Sequence, residues 1–460
     1  MSEPGGSKPS DRNLMRDTLR RIAVAVVSVA PATIDWVAKV VVWPRPFWVY
    51  YYDPETIYFY GGLHLLRGRL PANVDNPGIP LHVLSAGIAA LTGPTPLRYA
   101  QFLAAAHTLA LMATIGAVVL LLATVLRDAP PLLQIAGVWT YFLAPQAFER
   151  LDIWSPEAFY LPLGAAVLAL LWGRRPVAAG VIIGVAIAAK WIFLPWAGAG
   201  VAALLVGRRA RDAFLLGAAC LVGFVLSIAP VFAAWPRMFH LVMNPNEQSW
   251  ALLFATAHGW AIWSAVTAIF VVATLRLTDL PAVTFAVIVI SLTFLGAARN
   301  PAFRYLLPAA IGMLALFAVA SSTRRAGPFI QGALLLLAGA LSVKAVRDDL
   351  AAHRSRVSSS ETLRARIEGV TPRHAVVLYG WRVPEPSFAL RVMADDAADL
   401  EAIATLYPRD GHFNPWTRQV HLPPKVSYAD YVVVSRADLA NFPLAKPVAE
   451  IDSYVIGALR

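Results

Sequence analysis

Long apolar runs, separated by short polar connections, make up most of the chain. A helix needs about 20 mostly apolar residues to cross the hydrocarbon core of a bilayer. On this criterion we predict eleven membrane spans, at residues 21–42, 97–126, 130–148, 154–172, 176–191, 193–207, 213–234, 259–275, 280–297, 305–322 and 327–345. The pattern therefore predicts an all-α bundle of about eleven transmembrane helices.

The composition supports this prediction. Hydrophobic residues make up 58% of the 460 residues, charged residues make up 15%, and the mean hydropathy is +0.59. Because soluble proteins have about 25% charged residues, these values exclude a soluble chain. The one cysteine, Cys220, lies within an apolar run, which excludes a disulfide framework or a cysteine metal site in the monomer.

The positive charge predicts the orientation of the chain. The 39 Lys and Arg residues exceed the 28 Asp and Glu residues, and the arginines form short clusters instead of one basic face, which argues against a nucleic-acid partner. Cytoplasmic loops carry excess Lys and Arg. With the N-terminus inside, the inner connections carry Arg127, Arg174, Arg175, Arg208, Arg209, Arg211, Arg276, Arg324 and Arg325.

The apolar stretch 79–92 (IPLHVLSAGIAALT) is decisive for this orientation, because counting it as a span would move the later arginine clusters outward. It has about 14 residues, follows Asn-Pro-Gly and ends at Thr-Gly-Pro, so it is too short to span a bilayer. We therefore interpret it as an interfacial or re-entrant helix.

These boundaries divide the chain into three parts. Residues 1–20 are predicted to be a disordered cytoplasmic N-terminus, and residues 21–345 a transmembrane domain that includes a large outer loop, 43–96. Residues 346–460 change in composition and contain strand-like runs and a helical stretch near 395–406. This pattern predicts a small α/β or α+β extracytoplasmic domain, with strands at His374–Tyr379 and Tyr431–Ser435.

Ionisable residues gather at the predicted outer ends of the spans. A charged side chain at membrane depth costs about 2.5–3.5 kcal/mol, so each one calls for a reason. Acids surrounded by cations suit an anionic lipid phosphate and a hydroxyl that must lose a proton. We expect one outer cavity to collect Asp53, Glu55, Glu149, Arg150, Asp152, Glu157, Lys190, His240, His258, Arg299 and Arg304.

Each of these residues also has a purely structural interpretation. Asp35 and Lys39 have i,i+4 spacing and are predicted to pair on one helix face. Lys190 and Arg150 could extend to the membrane interface, and Glu157 could stabilise the start of its helix. The packing interpretation is also the ordinary one for His64, His82, His107 and His258.

The first outer loop combines an acidic pair, a tyrosine, a Leu-rich helix and a Gly-x-Leu-Pro turn, in the sequence DPETIYFYGGLHLLRGRLPANVDNPGIP. This order resembles the loop of the GT-C superfamily of polyprenyl-phosphate-sugar-dependent glycosyltransferases. The branch in question includes the protein O-mannosyltransferases and the lipid A aminoarabinose transferase. The matching positions are Asp53, Tyr58, Leu65, Leu66, Gly68, Leu70, Pro71, Asn76 and Pro77.

Three later segments resemble the same branch. ERLDIWSPEAFYLPLG is similar to an Arg-then-acid pattern that enters the fourth span, and it selects Arg150 and Glu157. GVIIGVAIAAKWIFLP is similar to a Gly-rich span that ends in Lys190. RNPAFRYLLPAA is similar to the start of a late span and selects Arg304 and Tyr305.

The chain departs from the branch at two points. The branch usually has a contiguous Asp-Glu pair, whereas Pro54 separates Asp53 from Glu55 here. The element that resembles His-Pro-Pro begins with Asn76, so the function of that histidine does not transfer to this chain.

The resemblance implies that a sugar is transferred, with inversion, from a polyprenyl-phosphate donor to an extracytoplasmic glycolipid, polysaccharide or protein. We assign Asp53 as the base that takes the proton of the acceptor hydroxyl. Glu55 and Glu157 are candidates for catalysis or acceptor binding. The donor phosphate is assigned to Lys190, Arg304 and Tyr305. The residues assigned to shaping the site are Arg150, Asp152 and Tyr58.

Since two basic residues are available for the phosphate, we predict no cofactor and no metal ion. The alternative is a divalent cation bound by carboxylates, as in other GT-C branches. The resemblance also implies a bacterial inner membrane, an outward C-terminal domain and a role in cell-envelope glycans such as lipopolysaccharide.

Two other functions remain open. A transporter or flippase would line a path with charged residues, and inverted repeats would favour it. A polyprenyl-linked glycan ligase or polymerase would bind the same lipid phosphate and move a larger glycan.

Overall fold

Helices form most of the structure, which is a computed structural model. It describes residues 11–49, 52–71, 78–144, 146–234, 279–299, 307–323, 327–380, 383–391, 393–414, 419–423, 426–451 and 453–459. The helices are α1 (Asp11–Val37), α2 (Tyr52–Leu66), α3 (Ile79–Thr92), α4 (Tyr99–Ala123), α5 (Pro131–Phe142), α6 (Tyr160–Trp172), α7 (Pro176–Ala189), α8 (Leu194–Val206), α9 (Ala210–Ile228), α10 (Leu280–Arg299), α11 (Leu307–Thr323), α12 (Pro328–Val370), α13 (Pro386–Arg391) and α14 (Ala397–Leu406).

A helix occupies every predicted span position except 259–275, which lies outside the described residues. Among the described residues, four helices are long and apolar enough to cross a membrane, namely Met15–Val42, Pro96–Ala123, Ala210–Phe232 and Pro328–Val370. Shorter apolar helices accompany them, so the chain is an integral membrane protein. The count of eleven spans is not confirmed, because these shorter helices have fewer than 18 residues.

The stretch 79–92 forms a single 14-residue helix, α3, as its length predicted. Glycines bound it at both ends: Gly78 has φ 56° and Gly93 has φ 112°. Residues with side chains rarely adopt such angles, which explains why the helix begins and ends there. One face of α3 is buried, whereas Leu91 is exposed. Its interfacial position stays a prediction.

Helices α7 and α9 pack with their backbones in contact. A Cβ atom on Gly180 would lie 2.3 Å from the carbonyl oxygen of Leu216, and one on Gly184 would lie 2.2 Å from that of Cys220. Small residues allow membrane helices to approach this closely. The Gly-rich sequence of α7 thus has a packing role. At the end of α7, Gly78 N donates to Ala189 O at 3.3 Å, which brings α3 close to Lys190.

Helix α12 continues well beyond the predicted end of the last span at residue 345. Its 43 residues extend about 65 Å at 1.5 Å per residue, roughly twice the thickness of the hydrocarbon core. No glycine or proline interrupts residues 346–368, and the i,i+4 pair of Arg364 Nε and Glu368 Oε1 (2.9 Å) supports the last turns of the helix. The apolar run ends near 345, but the helix does not.

The C-terminal part contains a six-stranded mixed sheet with the strand order β3-β2-β1-β4-β6-β5. Strand β1 pairs in parallel with β2 and β4, and the other pairs are antiparallel. The predicted strands correspond to β1 and β4, and the predicted helix to α14. The strands are β1 (Val377–Tyr379), β2 (Asp410–Asn414), β3 (Gln419–His421), β4 (Tyr431–Ser435), β5 (Lys446–Ile451) and β6 (Tyr454–Ala458).

The C-terminal part is attached to α2 by several polar contacts. His64 Nε2 lies 2.7 Å from Asp395 Oδ1. Arg67 donates from both terminal nitrogens to the two oxygens of Asp399, each at 2.7 Å. The hydroxyl of Tyr60 donates to a backbone carbonyl of α13. The sheet region is therefore fixed to the helix that carries Asp53.

The glycine contacts predict a large effect of one added methyl group. We expect Gly184→Ala to lower stability by about 1–3 kcal/mol, because the methyl group meets a backbone carbonyl that cannot move aside. Gly198→Ala in α8 is the matched control, because its Cβ would have no heavy atom within 4 Å. Thermal unfolding in detergent measures both variants. Equal melting temperatures for the two would contradict the packing described for α7 and α9.

Candidate functional site

A buried lysine lies where the first span ends and the outer loop begins. Helix α1 continues as a π-helix, Ala38–Val42, a form that is frequent at functional sites. Within it, Lys39 Nζ lies 3.0 Å from Asp35 Oδ2 and 3.1 Å from Asp152 Oδ1, and it also pairs with Asp349. The predicted i,i+4 pair is thus present, and two further carboxylates join it.

Arg45 and Glu55 form a second buried ion pair beside this lysine. Arg45 Nη2 donates to both carboxylate oxygens of Glu55, at 3.1 and 3.0 Å, and to the carbonyl oxygen of Asp152 at 3.1 Å. Glu55 Oε1 also accepts from Trp154 N and from His107 Nε2, each at 2.9 Å. Glu55 is fully buried, and the side chain of Arg45 is only 6% exposed.

These contacts determine the protonation state of Glu55. Burial alone would raise the pKa of Glu55, but Arg45, His107 and the Trp154 N–H together hold the pKa below its ordinary value. The carboxylate therefore stays ionised at neutral pH. An ionised carboxylate with a low pKa and no exposure to solvent is poorly suited to removing a proton from an acceptor hydroxyl.

Helix α12 contributes to the same polar region. His353 Nε2 lies 3.0 Å from the carbonyl oxygen of Trp43, and His353 Nδ1 lies 3.8 Å from Asp152 Oδ2. Arg356 Nη1 donates to Glu149 Oε1 at 2.9 Å. We call this region the outer network, defined by Asp35, Lys39, Arg45, Glu55, His107, Asp152, Asp349 and His353. It joins the first span, the outer loop, the turn before α6 and helix α12.

Glu157 and Lys190 form a separate buried pair. Glu157 lies in the 3₁₀ helix Pro156–Phe159, and Lys190 caps α7 with an extended backbone. Lys190 Nζ bonds to Glu157 Oε1, and the two side chains are 11% and 2% exposed. The sequence placed both residues at the outer ends of spans, and the structure brings them together.

The three residues assigned to shaping the site, Arg150, Asp152 and Tyr58, are also buried. Arg150 Nη2 lies 3.3 Å from Gln146 Oε1 and 3.6 Å from Glu149 Oε2. The ring of Tyr58 lies against that of His82, with the centroids 4.9 Å apart. Asp152 belongs to the outer network, where it pairs with Lys39 rather than facing an open cavity.

Several predicted site residues cannot be placed relative to these pairs. The backbone of Asp53 lies in the first turn of α2, two residues before Glu55, but its side chain is outside the described residues. The same is true of the side chain of Arg299 and of His240, His258, Arg304 and Tyr305. Their roles stay predictions.

Sequence reasoning missed Arg45, His107, Asp349 and His353 as members of the outer network. Arg45 carried a usable signal, because it is an arginine on the predicted outer side, where the positive-inside rule expects few. His107 and His353 gave no such signal, because no neighbouring residue in the sequence indicates that they contact a carboxylate.

Within the described part of the chain, no group of three or more His, Cys, Asp or Glu side chains could hold a metal ion. The predicted absence of a metal from the site is not decided by this observation and stays a prediction.

Comparison with known proteins gives a match at the level of structure. No protein-family model matches the chain, and no curated protein sequence matches it. The crystal structure of ArnT from Cupriavidus metallidurans bound to undecaprenyl phosphate is similar, with a TM-score of 0.59 and 14% sequence identity. The likeness covers 95% of this chain and 98% of that one. The chain therefore has a fold similar to that of ArnT, in agreement with the resemblance seen in the sequence.

Proposed function

We propose that the protein is a membrane glycosyltransferase that transfers a sugar from a polyprenyl-phosphate-linked donor to an acceptor outside the cytoplasm. The observation that carries this proposal is the likeness to ArnT bound to undecaprenyl phosphate, because it extends over nearly the whole of both chains. The GT-C-like sequence segments add independent support, since they occur in the expected order.

The donor phosphate is proposed to bind at Lys190, together with Arg304 and Tyr305. An ammonium group has three N–H donors, so Lys190 can contact a phosphate oxygen while it keeps its bond to Glu157. In this proposal Glu157 holds the ammonium group in place before the donor arrives. Cations at this position stabilise the negative charge that grows on the phosphate as the glycosidic bond breaks.

The proposed reaction is a single displacement. The acceptor oxygen attacks the anomeric carbon, its proton passes to Asp53, and the bond from that carbon to the phosphate oxygen breaks. Polyprenyl phosphate leaves, and the configuration at the anomeric carbon is inverted. The first turn of α2 suits an ionised Asp53, because the N-terminal end of a helix favours negative charge. Phosphate is a good leaving group, so one carboxylate is sufficient.

We propose that no metal ion takes part, because the two basic residues can balance the phosphate charge. The acceptor is proposed to be a cell-envelope glycan, lipid or protein on the outer side of a bacterial inner membrane. The C-terminal part, fixed to α2 by Arg67 and His64, is positioned to influence which acceptor reaches the site.

The proposed function predicts that purified protein releases free polyprenyl phosphate from polyprenyl-phosphate-sugars when an acceptor is present. We expect Asp53→Asn to lower the rate at least 100-fold with donor binding within about twofold, because general-base catalysis contributes about 10²–10⁴-fold. Lipid chromatography measures the release. A flippase would leave the glycosidic bond intact, and a fully active Asp53→Asn enzyme would refute the assignment of the base.

The Lys190–Glu157 pair allows a separate test of donor binding. We expect Lys190→Met to weaken binding of polyprenyl phosphate about 10- to 100-fold, the loss of one charged hydrogen bond. Lys190→Met alone would leave the buried carboxylate of Glu157 without this partner. The double variant Lys190→Met, Glu157→Gln removes that charge as well, so it gives the clearer measurement of donor binding. Glu157→Gln alone is the control and should bind nearly normally, because the amide oxygen of Gln still accepts from the ammonium group and holds it in place. Wild-type affinity in the double variant would exclude Lys190 from the phosphate site.

A further inference from the structure

We infer that Arg45 is a positioning residue, which holds Glu55 and thereby fixes the first turn of α2, where Asp53 lies. This inference rests on the proposed function. It assigns Glu55 to the support of the site, instead of the catalytic or acceptor-binding role that its place beside Asp53 suggested.

Three separate parts of the chain donate to the carboxylate of Glu55. Arg45 approaches from the start of the outer loop, His107 from α4, and the Trp154 N–H from the turn before α6. Arg45 also donates to Asp152 O, in the 3₁₀ helix Glu149–Asp152. Glu55 therefore ties α2 to three neighbouring elements at one point, two residues from Asp53.

The first turn of α2 needs this support because the step from Asp53 to Pro54 does not favour a helix. A residue that precedes proline is biased away from the α conformation, and Asp53 precedes Pro54. Yet the helix already includes Tyr52 and Asp53. Since the local preference opposes the observed conformation, contacts made by the rest of the turn must stabilise it. Glu55 is fully buried and provides such contacts.

The contacts of Arg45 with Glu55 and Asp152 come from one terminal nitrogen of its guanidinium group. Its Nη2 atom reaches both oxygens of Glu55 and the carbonyl oxygen of Asp152, all within 3.1 Å. Lysine would keep the positive charge, but its side chain is shorter by one atom and lacks the rigid planar group that places this nitrogen. Arg45→Lys therefore separates the geometry of the contact from its charge. The side chain of Arg45 is buried and donates to Glu55 and to Asp152 O, so its effect on the site passes through Glu55.

The experiment compares Arg45→Lys, Glu55→Gln and the double variant in the full-length protein. We expect each single variant to lower kcat about 10- to 100-fold, the size of effect that a misplacement of about 1 Å produces. Donor affinity should stay within about twofold. The double variant should be no slower than the slower single variant, because both changes release the same turn.

Two further measurements exclude a merely structural loss. The pH dependence of kcat should change in Arg45→Lys, because Asp53 is the group that titrates, whereas a smaller amount of folded enzyme would leave the profile unaltered. Arg69→Gln is the control, since Arg69 on the same loop forms an exposed pair with Asp396. It should keep wild-type kcat. If the Arg45 variants fail to fold, Glu55→Asp retains the charge but shortens the side chain, which moves the carboxylate away from Arg45, and it should show the same selective loss of kcat.

Wild-type kcat and pH profile in Arg45→Lys and Glu55→Asp would overturn the inference. A parallel loss of donor binding and kcat would also overturn it. The proposed function is tested separately. If Asp53→Asn is fully active, the assignment of Asp53 as the base is wrong, whatever the Arg45 variants show. If Asp53→Asn is inactive and Arg45→Lys is fully active, only the positioning role is wrong.

Discussion

The buried ionic contacts at the C-terminal end of the first span are the constraint on which this structure depends. Removing one partner of a buried pair costs about 3–5 kcal/mol, so each charge in the outer network ties its own segment to another. Lys39 joins α1 to the turn before α6 and to α12. Arg45 joins that turn to α2. The outer loop is thereby held to the bundle, and the C-terminal part is held to the outer loop.

The buried charged residues divide into two groups with different tasks. The outer network is internally paired, and Glu55 keeps a low pKa within it, which suits a framework that must not change its charge during a reaction. Lys190 and Glu157 form a second, smaller pair. This separation is what we expect where a framework positions a base and another cation receives a phosphate.

Much of this fold could be predicted because apolar length and helix-ending glycines are local properties. They predicted the helix positions and the boundaries of α3, whose glycines adopt positive φ. The long-range pairing of acids and bases could not be predicted, because Lys39 and Asp152 are over 100 positions apart and meet only through packing. The continuation of α12 to Val370 was missed for another reason: hydropathy reports where the apolar run ends, whereas helix formation needs no apolar residues.

The central claim is that the loop bearing Asp53 and the C-terminal part face the outside together. Labelling of single cysteines in intact cells with an impermeant thiol reagent tests it most directly, after Cys220 is replaced. Glu401 and Arg208 are both exposed and suit the substitutions Glu401→Cys and Arg208→Cys. The account predicts labelling at 401 in intact cells and at 208 only after permeabilisation. Labelling at 208 and protection at 401 would contradict it.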